Sequence, residues 1–211
     1  MLISIEGNIG SGKSTIINYL KNLDNDNIIF VDEPVDEWLN IFSGGKNALQ
    51  HFYDDQKSNA FWFQILAYIT RLRNLLDTIE NNKNKLIITE RSIYTDKFVF
   101  AQMLYEKGFI NDIEFKTYNY WFDTFKNVTK NDVILYVNTE PEECLNRIKT
   151  RSRSEECNIT LEYLEKCHTK HKEWLDDNKN ISVININGHQ DKINIRNEII
   201  GYLNTFEYTI I

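Results

Sequence analysis

Short apolar runs alternate with longer amphipathic stretches along the chain. The short runs predict β-strands at residues 2–6, 28–32, 86–90, 132–138 and 181–186. The longer stretches predict helices at about 13–22, 56–80, 93–107, 111–127, 140–150, 160–175 and 191–204. Strands that alternate with helices are typical of an α/β fold, in which helices cover both faces of a parallel sheet. In such sheets ligands bind beyond the carboxyl ends of the strands, so we expect the functional side chains there.

One helix start carries a local signal. Thr139 is followed three residues later by Glu142, the spacing of a capping box. We therefore expect the helix predicted at 140–150 to be capped by these two side chains.

Composition favours one domain without a polymeric partner. The chain has 211 residues and 42% hydrophobic content, enough for a single domain over 1–211. Its 24 basic and 31 acidic side chains give a net charge of −7, which argues against a nucleic-acid polymer as partner. The apolar runs are shorter than the roughly 18 residues of a membrane span. A first strand at residues 2–6 leaves no room for a leader, and three cysteines without a C-x-x-C pair fit a reducing cytoplasm.

A phosphate-binding motif follows the first predicted strand. Residues 7–14 read GNIGSGKS and match G-x-x-x-x-G-K-[ST] between a strand and a helix. Glycines allow a tight turn that aims backbone N–H groups inward, and the helix N-terminus adds positive charge. We expect Lys13 to contact the β- and γ-phosphates and Ser14 to bind Mg²⁺. The candidate ATP-binding residues of this loop, at 7–15, are Gly7, Asn8, Ile9, Gly10, Ser11, Gly12, Lys13, Ser14 and Thr15.

Charged side chains also end the second and third predicted strands. Glu33 follows the second strand, where a carboxylate can accept the proton of an attacking hydroxyl. A helix cap with Pro34 in its first turn is the alternative. After the third strand, Glu90 can help hold Mg²⁺ through water, and Arg91 can lie over the transferring phosphoryl group. An internal ion pair that closes the sheet edge is the alternative there.

Two further segments offer ligand-binding chemistry. Residues 147–156, RIKTRSRSEE, crowd arginines that can close as a lid over a triphosphate, although a solvated basic turn has the same composition. These lid candidates are Arg147, Arg151 and Arg153. Residues 49–73 are dense in aromatic side chains, on which a base can stack, and Gln64 offers the donor and acceptor that read a base edge. An ordinary core or dimer helix would also be aromatic.

Together these segments resemble the deoxynucleoside kinase family, in its deoxycytidine/deoxyguanosine kinase group. The resemblance runs from about residue 1 to 176 through GNIGSGKST, EPVDEW, the Tyr53…Phe63-Gln64…Arg71 helix, ERSIYTD, RSRSEE and LEYLEKCHTKHKEWL. It implies a P-loop kinase fold with a five-stranded parallel sheet flanked by helices and an arginine-rich lid at about 147–156. It also implies ATP with Mg²⁺, and a homodimer packed through long helices.

The resemblance assigns roles to individual residues. Glu33 would take the proton of the 5′-hydroxyl, Arg91 would stabilise the reacting groups, and Glu90 would help hold Mg²⁺. Tyr53 and Glu156 would hold the 3′-hydroxyl. The base would bond to Gln64 and stack on aromatic rings. The implied substrate-binding residues are Glu33, Trp38, Tyr53, Phe63, Gln64, Arg71, Arg91, Asp96, Phe100 and Glu156.

Substrate preference follows from the pocket floor. Arg71 and Asp96 match a pair that accompanies acceptance of deoxycytidine, deoxyadenosine and deoxyguanosine over thymidine in the family. A small residue at Ala67 fits the same pattern. Phe52 stands where related sequences are expected to have Met, and Lys97 replaces an Arg. NGHQ at 187–190 lacks the acidic-aromatic loop that lies beside the donor base in the family, so the identity of the donor stays open.

Three alternatives compete with a deoxynucleoside kinase of nucleotide salvage. A thymidylate kinase-type enzyme shares the phosphate loop and lid but requires a cation for its acceptor's own phosphate. A catalytically silent nucleotide-binding protein would bind ligands without turnover. A P-loop motor or switch would release phosphate without a nucleoside acceptor. The segments around Glu33 and Glu156 favour the nucleoside kinase.

Overall fold

A computed structural model describes residues 1–23, 25–178 and 181–206. The strands of this part of the chain are β1 (Leu2–Glu6), β2 (Ile28–Val31), β3 (Phe42–Ser43), β4 (Lys46–Asn47), β5 (Leu86–Glu90), β6 (Val133–Asn138) and β7 (Ser182–Asn187). Five of them form a parallel sheet in the order β2-β5-β1-β6-β7, and β3 and β4 form a small hairpin. The predicted α/β fold with a five-stranded parallel sheet is confirmed. One domain over 1–211 stays a prediction, and its residues 24, 179–180 and 207–211 lie outside the described residues.

The helices cover both faces of this sheet. They are α1 (Lys13–Lys21), α2 (Val35–Asn40), α3 (Ala48–Asp54), α4 (Gln56–Asn81), α5 (Ile93–Thr95), α6 (Gln102–Glu106), α7 (Asp112–Phe125), α8 (Pro141–Arg151), α9 (Leu161–Asp177) and α10 (Lys192–Asn204). A π-helical segment, Asp96–Ala101, joins α5 to α6, and a 3₁₀ turn, Ser154–Glu156, follows α8. None of the helices in the described ranges is both long and apolar enough to cross a membrane.

The central strands are apolar on both faces because both faces are covered. Val133, Leu135 and Val137 of β6 pack with residues of α1 and α10, while Ile134 and Tyr136 pack with residues of α8 and α9. Full burial of one such aliphatic side chain contributes about 1.5–3 kcal/mol. A strand buried on both faces cannot shift register cheaply, so the loops at its carboxyl end are held in fixed positions.

The predicted capping box of α8 is wrong. Glu140 is the N-cap, no side chain caps it, and Pro141 occupies the first helical turn. Proline has no N–H to satisfy and its fixed φ suits a helix start, so the helix begins without a side-chain cap. The hydroxyl of Thr139 instead donates to the carbonyl oxygen of Ser11 at 3.1 Å. It therefore ties the end of β6 to the phosphate-binding loop.

Candidate functional site

A cavity of about 1210 Å³ opens beyond the carboxyl ends of β1, β2 and β5. It is lined by the predicted loop residues from Ile9 to Thr15, the three predicted lid arginines, and every predicted substrate-binding residue. Gly7 and Asn8 do not line it. We call the part around Glu33, Gln64 and Asp96 the acceptor arm, and the part around Asn18 and residues 188–196 the donor arm.

The phosphate-binding loop packs tightly against α8. Gly10 has a φ of 78°, and a Cβ placed on it would lie 2.5 Å from the carbonyl oxygen of Cys144. A Cβ on Gly7 would lie 2.7 Å from the carbonyl oxygen of Val137. Only glycine fits such close backbone approaches, both at Gly7, the first glycine of the motif, and at Gly10, one of its variable positions. The loop is thereby held between β6 and α8.

Side chains of the loop also organise it from within. Lys13 Nζ donates to the carbonyl oxygen of Asn8 at 2.7 Å. Burial, with added repulsion from Arg91, lowers the pKa of Lys13 to about 8. Asn8 Nδ2 donates to the carbonyl oxygen of Leu164 at 2.8 Å, which anchors the loop to α9. Asn8 therefore supports the loop's shape from outside the cavity, and Lys13 is a buried cation inside it.

Ser14 and Glu90 bring two oxygen-bearing side chains together beside the loop. The hydroxyl of Ser14 donates to Glu90 Oε1 at 2.8 Å. A hydroxyl and a carboxylate fit a hard divalent cation such as Mg²⁺, which keeps most of its waters and needs few protein ligands. Within residues 1–23, 25–178 and 181–206, no group of three or more His, Cys, Asp or Glu side chains is arranged to hold a metal ion. A cation here would therefore depend on phosphate oxygens and water as well.

Glu33 is held between two arginines. Arg91 Nη1 donates to its Oε1 and Oε2 at 2.6 and 2.7 Å, and Arg71 Nη2 donates to Oε1 at 2.9 Å. Burial alone would raise the pKa of Glu33, but the charges of Arg91, Arg71 and Lys13 lower it to about 2. The carboxylate is therefore ionised and can accept a hydrogen bond from a hydroxyl group.

Arg71 connects three elements at the floor of the acceptor arm. Besides Glu33 it donates through Nε to Asp96 Oδ2 and through Nη1 to the carbonyl oxygen of Glu90, both at 2.8 Å. Arg71 and Asp96 are 3% and 2% exposed, so the predicted pair is a buried ion pair. Because each charge has a partner, the pair occupies the floor without leaving an unpaired buried charge.

Aromatic rings form the wall of the acceptor arm. Phe63 stacks on Phe52 with ring centroids 4.4 Å apart, and Trp38 meets Phe63 edge-on at 5.5 Å. One face of Phe63 is thus covered by Phe52, the residue where the sequence departs from the family pattern. Phe100 lies under the guanidinium of Arg91, 5.3 Å from ring centroid to Cζ. Gln64 Oε1 is buried and bonds to none of the described residues, which leaves an acceptor for a ligand.

The predicted lid is already engaged with the protein. Arg147 Nη1 donates to the carbonyl oxygen of Ser11 at 3.0 Å and Nη2 to that of Gly188 at 2.9 Å. Arg151 Nε donates to Glu156 Oε2 at 2.9 Å, and Arg153 Nη1 to its Oε1 at 3.4 Å. All three arginines line the cavity, and their role as a lid stays a prediction.

Tyr53 and Glu156 both line this cavity. Glu156 is buried in spite of its charge, which the two lid arginines balance. Burial, with repulsion from Glu156, raises the pKa of Tyr53, so its phenol stays protonated and can donate a hydrogen bond. One donor and one acceptor suit a single hydroxyl group.

Sequence reasoning associated only residues 187–190 with the donor and missed the rest of the donor arm. It includes residues from α1 and from the start of α10, to which the pattern assigned no role. There Arg196 Nη1 donates to the hydroxyl of Tyr19 at 2.8 Å, and its guanidinium lies 4.4 Å from the ring centroid. The only signals in the sequence were that Arg196 follows the last predicted strand and that Tyr19 lies in the first predicted helix.

Comparison with known proteins gives a consistent result. A family model described as deoxynucleoside kinase matches residues 3–206. The chain is 39% identical to a probable deoxycytidine kinase of fowlpox virus over an alignment of 202 residues, which covers 92% of this chain and 82% of the relative. It is 39% identical to deoxycytidine kinase of Homo sapiens over an alignment of 194 residues, which covers 82% of this chain and 74% of the relative. It is 33% identical to mitochondrial deoxyguanosine kinase of Xenopus laevis over an alignment that is 217 residues long with its gaps and covers 90% of this chain and 82% of the relative.

Proposed function

This chain belongs to the deoxynucleoside kinase family, and we propose that it transfers the γ-phosphate of ATP to the 5′-hydroxyl of deoxycytidine, deoxyadenosine or deoxyguanosine in preference to thymidine. The observation that carries the proposal is the single cavity that joins the phosphate loop to the Glu33–Arg91 pair. A donor phosphate on the loop and a nucleoside in the acceptor arm would meet at that pair. The enzyme would act in nucleotide salvage.

Glu33 is the proposed base. The 5′-oxygen forms a bond to the γ-phosphorus while the bond between that phosphorus and the bridging oxygen to the β-phosphate breaks, and ADP leaves. The hydroxyl proton passes to Glu33. A pKa of about 2 makes this carboxylate a weak base. That is sufficient in a loose transition state, where the proton is transferred late and positioning contributes most of the catalysis.

Arg91 and Lys13 are the proposed electrostatic partners of the phosphates. The buried guanidinium of Arg91 bonds to Glu33 and so lies where the 5′-oxygen would approach. Negative charge spreads over the transferring oxygens, and preorganised donors in a water-poor site stabilise it. Lys13, at the start of α1, and the backbone N–H groups of the loop would hold the β- and γ-phosphates.

The ATP-dependent kinases of this family use a divalent metal, and we propose Mg²⁺ held through Ser14 and Glu90. When bound it would neutralise phosphate charge. The 2.8 Å contact between the Ser14 hydroxyl and Glu90 supports this assignment. Gly7, Asn8, Ile9, Gly10, Ser11, Gly12 and Thr15 would form the rest of the ATP loop, and Arg147, Arg151 and Arg153 its lid.

Recognition of the nucleoside is assigned to the acceptor arm. Gln64 would bond to the base edge through its unpartnered Oε1, and Phe63, Phe100 and Trp38 would enclose the ring. Tyr53 and Glu156 would hold the 3′-hydroxyl. The buried Arg71–Asp96 pair occupies the floor, where the methyl group of thymine would need space.

A thymidylate kinase-type activity is the main alternative. Its acceptor carries a phosphate, which requires an available cation in the acceptor arm. Arg71 and Arg91 are each already bonded to carboxylates there. This arrangement favours a neutral nucleoside.

A second copy of the chain is the proposed partner, besides nucleoside and ATP, in a cytoplasmic homodimer. Large apolar side chains are exposed on α4 and α7, at 51% for Ile69, 76% for Ile113 and 76% for Tyr120. Ile113 and Tyr120 are seven residues apart and so share one face of α7. An exposed apolar face on two packed helices is typical of a subunit interface.

The test is ATP-dependent phosphorylation of the four natural deoxynucleosides, with thymidine monophosphate as the comparison acceptor. We expect turnover of deoxycytidine or a purine deoxynucleoside and poor turnover of thymidine. Thymidine as the best substrate would keep the kinase and overturn the preference. Turnover of the monophosphate alone would establish the alternative. Binding of nucleoside and ATP without turnover would indicate a silent binding protein, and phosphate release without an acceptor a motor or switch.

A further inference from the structure

A buried carboxylate stands directly before the phosphate loop and has no part in the function described so far. Glu6 is the last residue of β1, the central strand, and is fully buried. A carboxylate in a protein core is costly unless hydrogen bonds satisfy it. Burial raises the pKa of Glu6, against the opposing effect of hydrogen bonds from Ser92 and Thr95. The contacts of Glu6 therefore have to account for the free-energy cost of burying its carboxylate.

Both oxygens of Glu6 bond to the first turn of α5. The hydroxyl of Ser92 donates to Oε1 at 2.6 Å, and the hydroxyl of Thr95 donates to Oε2. Ser92 and Thr95 are buried as well, so water does not compete for these bonds. Glu6 therefore fastens the start of α5 to the strand that carries the phosphate loop.

The residue between β5 and this turn is Arg91, whose backbone is unusual. Its φ is 61°, in the left-handed region that side chains other than glycine seldom adopt. Its N–H donates to the carbonyl oxygen of Ile5 at 3.0 Å. Arg91 and the following Ser92 are thus hydrogen-bonded to Ile5 and Glu6, the last two residues of β1. Strain of this kind persists only where the surroundings hold it.

One of the two donors to Glu6 is next in the chain to a residue of the pocket floor. Thr95 immediately precedes Asp96, the first residue of the π-helical segment and the partner of Arg71. The hydrogen bonds that Glu6 accepts thus come from Ser92, which follows Arg91, and from Thr95, which precedes the segment that carries Asp96 and Phe100.

We propose that Glu6 is a positioning residue for phosphoryl transfer, which acts through Ser92 and Thr95 to hold Arg91 in the conformation that reaches Glu33 and the transferring phosphoryl group. The proposal rests on the proposed kinase function and on the role of Arg91 in it. In a purely structural role Glu6 would affect the enzyme whether or not Arg91 is present. In the proposed role Glu6 affects phosphoryl transfer only through the guanidinium of Arg91.

A double-mutant cycle in kcat separates the two roles. Glu6→Gln keeps the shape of the side chain but replaces one acceptor oxygen by a donor. We expect it to lower kcat about ten-fold in the otherwise unchanged enzyme, a barrier increase of about 1.4 kcal/mol. In the Arg91→Ala background the same change should lower kcat less than about two-fold, because the group that it positions is gone. The KM values for nucleoside and ATP should change little in the first comparison.

Two further variants keep the test decisive if Glu6→Gln folds poorly. Thr95→Val and Ser92→Ala each remove one donor to Glu6 and should reproduce the loss of kcat, again only while Arg91 is present. Thr89→Val is the matched control. Its hydroxyl is buried at the end of β5 and has no partner among the described residues, so kcat should not change.

The outcomes distinguish this proposal from the proposed function. Equal losses of kcat with and without Arg91, or no loss in either background, would overturn the positioning role alone. Full activity of the Arg91→Ala enzyme, or no phosphorylation of any deoxynucleoside by the unchanged protein, would overturn the role of Arg91 or the proposed function, and the role of Glu6 with them.

Discussion

Arg91 donates from one nitrogen to both carboxylate oxygens of Glu33, at 2.6 and 2.7 Å. The proposed base and the proposed charge stabiliser are therefore partners before any substrate binds. Arg91 Nε is buried and has no partner within the described part of the chain. An incoming hydroxyl would find an ionised acceptor on Glu33 with the positive charge of Arg91 beside it, which is the arrangement that a transferring hydroxyl requires.

Glu33→Gln should lower kcat by about 10² or more, the size typical of the loss of a general base. Binding of the nucleoside should persist, because the amide still accepts a hydrogen bond. Steady-state phosphorylation and equilibrium binding of the nucleoside measure the two effects. Asp32→Asn is the control, since that neighbouring carboxylate is exposed and bonds to Lys21 at the surface. A Glu33→Gln enzyme with near-normal kcat would refute the base assignment.

Arg71→Met combined with Asp96→Ala should raise kcat/KM for thymidine relative to deoxycytidine, because the floor gains space and loses polarity. Removing only one member leaves the other charge buried, which costs about 3–5 kcal/mol of stability, so the single variants should unfold more readily. The control removes a more exposed ion pair that joins α4 to α2, Arg73→Met with Glu37→Ala, and should leave the preference unchanged. No gain for thymidine would mean that this pair does not set the preference.

Gly10→Ala should weaken ATP binding at least ten-fold. The new Cβ would meet the carbonyl oxygen of Cys144 at 2.5 Å, so the loop has to move away from α8. Gly45→Ala is the control that introduces backbone strain without a clash, because Gly45 has a φ of 80° and no atom lies within 4 Å of its Cβ position. That control should cost about 1–2 kcal/mol of stability and leave ATP binding intact. Equal ATP binding by the two variants would contradict the packing argument.

His171 should make the protein less stable in acid. Burial lowers the pKa of this imidazole from 6.5 to about 3. The unfolded chain takes up a proton near pH 6.5 that the folded protein does not accept until about pH 3. The free energy of unfolding therefore falls with pH in this window, by up to about 1.4 kcal/mol per pH unit from this group.

His171→Asn should flatten that dependence between pH 5 and 6.5, as measured by urea unfolding at several pH values. The exposed His189→Asn variant should keep the slope of the unchanged protein. Identical slopes in all three proteins would show that His171 is not kept neutral by the fold.

Ile69→Glu combined with Tyr120→Glu should convert the proposed dimer into monomers of 25.1 kDa. Burying two carboxylates in an apolar interface is unfavourable. Light scattering after size-exclusion chromatography gives the mass. Phe42→Glu, at a side chain that is 64% exposed on the β3–β4 hairpin, should leave the mass unchanged. A monomeric mass for the unchanged protein would refute the homodimer.

The sheet was predictable because its central strands are largely apolar on both faces, a pattern that leaves few alternatives. Residues 49–73 were expected to form one helix through Tyr53 and Arg71, and this is wrong, because the chain breaks at Asp55 into α3 and α4. Asn47 and Gln50 have the spacing of a capping box, which the structure contains at the start of α3. The π-helical segment was predicted as ordinary helix, since hydrophobic periodicity does not register one extra residue per turn. Glu6 could be predicted only as the end of a strand, because its hydrogen-bond partners, Ser92 and Thr95, are far away in the sequence. The roles of the site residues stay predictions.

The phosphate-binding loop packs closely against α8 where Gly10 meets Cys144, so the loop and this part of the helix are held together. Arg147 is fastened to the carbonyl oxygens of Ser11 and Gly188, so the body of this helix cannot swing without dragging the phosphate loop. The helix ends at Arg151, and the next residue, Ser152, has a left-handed φ of 53°. We therefore expect any movement of the predicted lid to occur beyond Arg147, in the segment that carries Arg151 and Arg153.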